Sequence, residues 1–101
     1  MSETIISSLY GMIFEWDKEK EHLSFQNHGV HFSEAITVFL DPYNIIDEDY
    51  REYGETRYIT VGMSSHHRLL KVIWTDRDPN TRIISAWKAT AQDKKAYEYN
   101  R

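Results

Sequence analysis

Cysteine is absent from the 101 residues, which excludes disulfide scaffolds, thiolate metal sites and cysteine nucleophiles together. Long apolar runs are absent as well: none approaches the roughly 18 residues needed to span a bilayer. Ile5-Ile6, flanked by Glu3, Thr4, Ser7 and Ser8, is too short and too polar for the core of a signal peptide. These absences point to a soluble, cytoplasmic protein with no membrane partner. There is no Gly-rich phosphate loop, no nucleophile elbow and no HExxH helix, so those catalytic classes drop out. Five histidines are present, but His66 and His67 are adjacent and point apart on an extended chain, and Gly29 interrupts the helix between His28 and His31. No metal and no cofactor is expected.

What is present describes one domain, residues 1–101. The hydrophobic content of 41% and charged content of 28% fit a folded globular chain rather than a disordered one. The net charge of −4 conceals a gradient, because residues 1–40 hold two bases and six acids while residues 41–55 hold one base and six acids. Residues 56–101 hold nine bases and four acids. Charge separated in this way along a chain can leave a basic face on an acidic protein.

Local patterns predict the elements. Residues 1–10 show no periodicity and read as a loose leader. Met12-Ile13-Phe14 with Trp16 reads as a strand. Asp17 is a good N-cap for a charged helix over 18–27, which Gly29 stops. Phe32, Ala35, Ile36, Phe39 and Leu40 form the stripe of a second helix, ended by Asp41-Pro42. Tyr43–Ile46 is a short strand, and residues 47–54 are an acidic loop. Strands follow over 56–62, 69–75 and 82–87, joined by short turns as an antiparallel meander. Thr90 with Asp93 opens a last helix through a capping box. The expected class is α+β: an antiparallel meander sheet with two N-terminal helices and one C-terminal helix.

Cations and a few acid–base groups remain as chemistry. Arg57, Arg68, Lys71, Arg77, Arg82 and Lys88 lie on or beside the meander strands, and guanidinium forks suit phosphate. Tyr58, Trp74 and Trp87 are interleaved with them and can stack on unpaired bases. The plainer alternative is that the arginines pair with carboxylates such as Glu55 and Asp76, and that the aromatics are core. His28 suits general acid–base work, since histidine is the residue type whose free imidazole changes charge close to neutrality, or is simply structural.

The order of short words along the chain resembles the BrnT family, the toxin half of a bacterial type II toxin–antitoxin system. The words are Phe14-Glu15-Trp16-Asp17, His28-Gly29-Val30, Phe32 with Glu34-Ala35, Val38-Phe39, Asp41-Pro42 and Gly54-Glu55 with Arg57. Gly62-Met63-Ser64, Arg68-Leu69-Leu70, Trp74-Thr75, Arg82-Ile83-Ile84-Ser85-Ala86 and Lys88-Ala89 continue it to about Tyr97. The resemblance implies a compact RelE-like ribonuclease domain that cleaves RNA without metal and inhibits translation. It implies neutralisation by a ribbon-helix-helix antitoxin, with DNA touched only indirectly through that partner. The catalytic candidates it carries over are His28 for proton transfer, Arg57, Arg68 and Arg82 for phosphate, and Glu55 as a weaker base. Lys71, Trp87 and Lys88 are the RNA-binding candidates.

The chain also departs from the family pattern. Asn27 stands where members usually carry Lys, and Trp87 where they usually carry Arg. Ser24 replaces an Asn, and His31 replaces a helix-capping Ser or Thr. Losing a phosphate-binding cation can remove orders of magnitude in rate. Two further readings therefore stand beside an active toxin: a weak or inactive relative that keeps only its antitoxin partner, and an RNA-binding domain without cleavage.

Overall fold

The computed structural model describes residues 2–51 and 54–101. Six strands form one sheet: β1 Thr4–Leu9, β2 Met12–Asp17, β3 Ile45–Asp49, β4 Arg57–Met63, β5 Leu69–Arg77 and β6 Asn80–Lys88. The helices are α1 Lys18–His28, α2 Phe32–Ala35 and α3 Ala91–Asn100. Strand order across the sheet is β1-β2-β6-β5-β4-β3.

The sheet is mixed, which corrects the purely antiparallel expectation. The other neighbours pair antiparallel, but β2 runs parallel to β6, with Phe14, Glu15 and Trp16 opposite Thr81, Arg82 and Ile83. Only these three residues of β2 pair with β6, because the chain then turns into α1 at Lys18. Among the described residues, the half of β6 beyond Ile83 therefore has no strand on that side, and α1 lies along it. Ser24, buried on α1, holds the contact: its hydroxyl lies 3.0 Å from the carbonyl oxygens of both Val30 and Ala86.

The expected loose leader is also corrected, since residues 4–9 are a strand. Its hairpin turns at Tyr10 (φ 49°) and Gly11 (φ 82°), both left-handed, as a tight two-residue hairpin requires. Asn-Gly is the usual signal at such a turn, and Tyr-Gly does not announce it. Ser7 faces inward and Ile6 outward, so the apolar alternation that marks a strand is broken as well.

The expected second helix over 32–40 is one short α-turn continued by a 3-10 segment, Ile36–Leu40. Its apolar stripe still supplies core, since Phe32, Ala35, Ile36 and Val38 are buried with Phe14, Trp16, Leu70, Val72, Ile83 and Ala86. His31 at its N-cap makes no capping bond. The Glu21 carboxylate reaches across from α1 instead and accepts from the Phe32 and Ser33 N–H groups at 2.9 and 3.3 Å. Asp17 caps α1 and Gly29 ends it in the left-handed conformation (φ 68°), both as the sequence predicts. The Thr90–Asp93 capping box forms. Part of the expected 47–54 loop is strand β3, and residues 52 and 53 lie outside the described residues.

Candidate functional site

One irregularity aims β6. Ile73 pairs with Ser85 while Trp74 pairs with Ile83, so Ile84 is an extra residue, a β-bulge. A regular strand alternates every two residues, and here the two core positions, Ile83 and Ala86, are three apart. The bulge flips the faces of everything after it. Trp87, which an unbroken strand would turn toward the core alongside Ile83, stands half-buried on the opposite face.

The uncovered edge of β6, the end of α1 and the bulge enclose a cleft of about 400 Å³. Lys20, Asn27 and His28 reach it from α1, Arg57 from β4, and Ile84, Ser85 and Trp87 from β6. Among the described residues that line it there is no carboxylate. Its titratable groups are a Lys, an Arg and a His, a composition suited to an anionic ligand. A shallower depression lined by His28, Trp87 and Lys88 adjoins it, sharing two walls. The His28 and Trp87 rings stand 6.1 Å apart at the boundary, tilted 48°.

The structure thus brings together His28, Arg57, Trp87 and Lys88 from the expected set and commits the others elsewhere. Arg68 clamps two turns: its Nε donates to the buried Glu34 carboxylate at 3.0 Å and its Nη2 to the Gly29 carbonyl at 3.0 Å. Glu34 is also the acceptor for the Ser64 hydroxyl at 2.6 Å. The hydrogen bond from Arg68 holds the Glu34 carboxyl below its usual range, against the opposing effect of burial. Arg82 donates to Glu15 at 2.7 Å. Lys71 reaches Asp93 on α3 at 3.3 Å. Glu55 lies between Arg57 (3.5 Å) and Arg77 (3.2 Å). Burial pushes the Glu55 carboxyl up, but the two arginines outweigh it and leave it net lowered.

The basic C-terminal half does not make a uniformly basic face. Acids from the first 55 residues (Glu15, Glu34, Glu55) fold onto the strand arginines and cancel most of the gradient. The expected stacking platform contracts too. Trp74 packs against the core, stacks on Tyr58 at 4.6 Å and donates its indole N–H to Thr60 at 2.8 Å, so of these three aromatics Trp87 lines the cleft, beside the fully buried Phe32.

Lys20 and Ser85 were not singled out by sequence reasoning. Lys20 sits in a run, Lys18-Glu19-Lys20-Glu21, that reads as solvated helix surface, and only its place on the cleft side of α1 distinguishes it. Among the described residues, no three His, Asp or Glu side chains gather where they can hold a metal ion. None of the described helices is long and apolar enough to cross a membrane.

A family model described as ribonuclease toxin, BrnT, of type II toxin–antitoxin system matches residues 16–93. That span contains every lining residue of the cleft. No curated protein gives a significant match.

Proposed function

Because the chain belongs to the BrnT family of ribonuclease toxins from type II toxin–antitoxin systems, we propose that the cleft between α1 and β6 binds single-stranded RNA and cleaves it. The observation that carries this reading is the lining: Lys20, Arg57 and His28 converge on one cleft beside Trp87. Arg57 pairs with Glu55 at 3.5 Å and lines the cleft together with Lys20 and His28. A phosphodiester is an anion that this lining can hold.

The chemistry follows from the groups present. His28 accepts the proton of a ribose 2′-OH, the 2′ oxygen attacks the adjacent phosphorus, and the bond to the 5′ oxygen breaks. The leaving oxygen takes a proton from solvent at the open mouth of the cleft. The products are a 2′,3′-cyclic phosphate and a 5′-hydroxyl. Arg57 and Lys20 hold the non-bridging oxygens as charge develops on them, where a positioned donor is worth about 3–4 kcal/mol. Trp87 offers a stacking face to a base beside the scissile phosphate, and Lys88 extends the cationic path. Arg82 and Arg68 support the site through their carboxylate partners rather than by touching phosphate.

RNA cleavage of this kind stops translation in the cytoplasm. A ribbon-helix-helix antitoxin neutralises the chain, and DNA is contacted only through that antitoxin. A second reading is favoured by one observation: Asn27 and Trp87, the two positions where the chain lacks a cation usual in the family, both line the cleft. On that reading the chain keeps its antitoxin partner and cleaves weakly or not at all.

The test is incubation of the purified chain with defined single-stranded RNA, with end-group analysis of the fragments. Cyclic phosphate termini that vanish in both His28→Ala and Arg57→Ala would support cleavage at this cleft. Cleavage that survives both substitutions would move the chemistry elsewhere. Intact RNA with folded protein would favour the second reading.

A further inference from the structure

The sheet has two outer edges, and they are built differently. An edge strand presents a row of unpaired N–H and C=O groups, and proteins normally block it with charge, proline or a bulge. β3 is blocked by Asp47, Glu48 and Asp49. β1 has no such block. No charged residue and no proline occurs from Thr4 to Phe14, and β1 pairs with β2 residue for residue with no bulge. Ile5 and Leu9 pack on the core side. On the other side Ile6, opposite Glu15, is 66% exposed, and Ile13 on β2, opposite Ser8, is 37% exposed.

We infer that β1 pairs antiparallel with β1 of a second copy of this chain, making one sheet continuous across a two-fold dimer. Charge selects this pairing among those the chain can make with itself. β3 against β3 would bring the acidic run face to face with its own copy. β1 against β3 would press carboxylates into the seam, and such head-to-tail contact builds a ring or an open filament rather than a two-fold dimer. β1 against β1 closes and meets no charge.

The face rule then limits the register. Residues directly opposite share a face of the sheet, and both cores must stay on one side, so inward residues oppose inward ones. A two-fold centred on Ser7 sets Ile5 against the second copy's Leu9 and Ser7 against the second copy's Ser7. Ile6 then lies against the second copy's Ser8 on the outer face. The inference does not depend on the RNA reading, since β1 does not line the cleft.

The absence of cysteine makes the test direct. Ser7→Cys introduces the sole thiol, and mild oxidation is expected to give a disulfide-linked dimer, whereas Asp47→Cys on the opposite edge gives none. Light scattering is expected to show twice the 12.0 kDa chain mass, falling to the single mass in Ile6→Lys but not in Ile46→Lys. Should Ile6→Lys fail to fold, judged by circular dichroism, the Ser7→Cys crosslink decides alone. A wild-type chain that is monomeric at its highest soluble concentration overturns the inference. So does a dimer in which Ser7→Cys does not crosslink. An edge that becomes protected from hydrogen exchange only when the antitoxin is added would assign it to that partner, which also overturns the self-pairing.

Discussion

His28 and Trp87 stand 6.1 Å apart, on the last turn of α1 and near the end of β6, and together they form the wall between the cationic cleft and its shallower neighbour. Two elements distant in sequence thus place an imidazole and an indole at one boundary. The first can move a proton. The second offers a face on which a base can stack, at a position where the family usually carries a cation.

That pairing gives the first prediction. Trp87→Ala is expected to weaken RNA binding by about 1–3 kcal/mol, the usual loss when a stacking side chain is removed. Trp87→Arg is expected to raise the cleavage rate, because it adds a cation beside His28. Fluorescence titration and single-turnover kinetics check the two effects. Faster binding loss without any rate change in Trp87→Arg would show that the site is rebuilt around the indole.

Arg57→Ala is expected to lower cleavage about 100- to 1000-fold, the effect of deleting one donor to transition-state charge. The fold should survive, because Glu55 keeps Arg77 as a partner at 3.2 Å. Rate constants read beside a thermal melt separate the two effects. A melt lowered as much as the rate would make Arg57 structural.

Arg68→Ala should behave in the opposite way. It leaves the buried Glu34 carboxylate, with 5% side-chain exposure, without its guanidinium, and breaking such a pair costs about 3 kcal/mol. Arg68→Lys is expected to recover only part of this, since one ammonium cannot serve both the Glu34 carboxylate and the Gly29 carbonyl in the fork geometry. Denaturant midpoints measure the loss. Full stability in Arg68→Ala would free Arg68 for a role in RNA binding.

Glu34 also sets a pH dependence. Its folded pKa is lowered below the ordinary 4.5, chiefly by the hydrogen bond from Arg68. A lowered carboxylate stabilises the fold fully above its unfolded value and loses that contribution as pH falls through the folded value. Stability is therefore expected to drop below about pH 4.5. Glu34→Gln should be less stable at neutral pH but show a shallower acid slope. An unchanged slope in a pH series of urea melts would remove Glu34 from the account.

Tyr97 anchors α3 by donating to the Asp41 carboxylate at 2.5 Å. Burial, followed by that bond, raises its phenol to about 12. Tyr97→Phe is expected to cost about 1.5 kcal/mol, typical of a hydrogen bond to a charged group. It should also speed proteolysis within α3 more than elsewhere. Uniform protection of α3 in the variant would show that its apolar contacts suffice.

Much of the local structure was legible in the sequence because it is encoded by neighbours. Asp17 and Gly29 bracket α1, and Thr90 and Asp93 open α3, both through contacts within a few residues. The BrnT words, spread from Phe14 to Lys88, carried the family. Tertiary structure alone decided the rest. β1 belongs to the tertiary structure because a Tyr-Gly turn and an inward Ser7 leave no local signature. The parallel β2–β6 pair joins segments some 65 positions apart, as the Asn80–Glu15 hydrogen bond across it shows, and that pairing exposes the edge on which the cleft is built. One bulged residue, Ile84, turned Trp87 to the cleft side, and nothing in Arg82–Lys88 marks it. The charge gradient was read correctly and did not survive folding, because charges interact through space and the acids of the first half close over the arginines of the second. Whether Arg57 or Arg68 is available to a phosphate is a matter of which carboxylate the fold brings beside each, and a linear sequence holds no record of that distance.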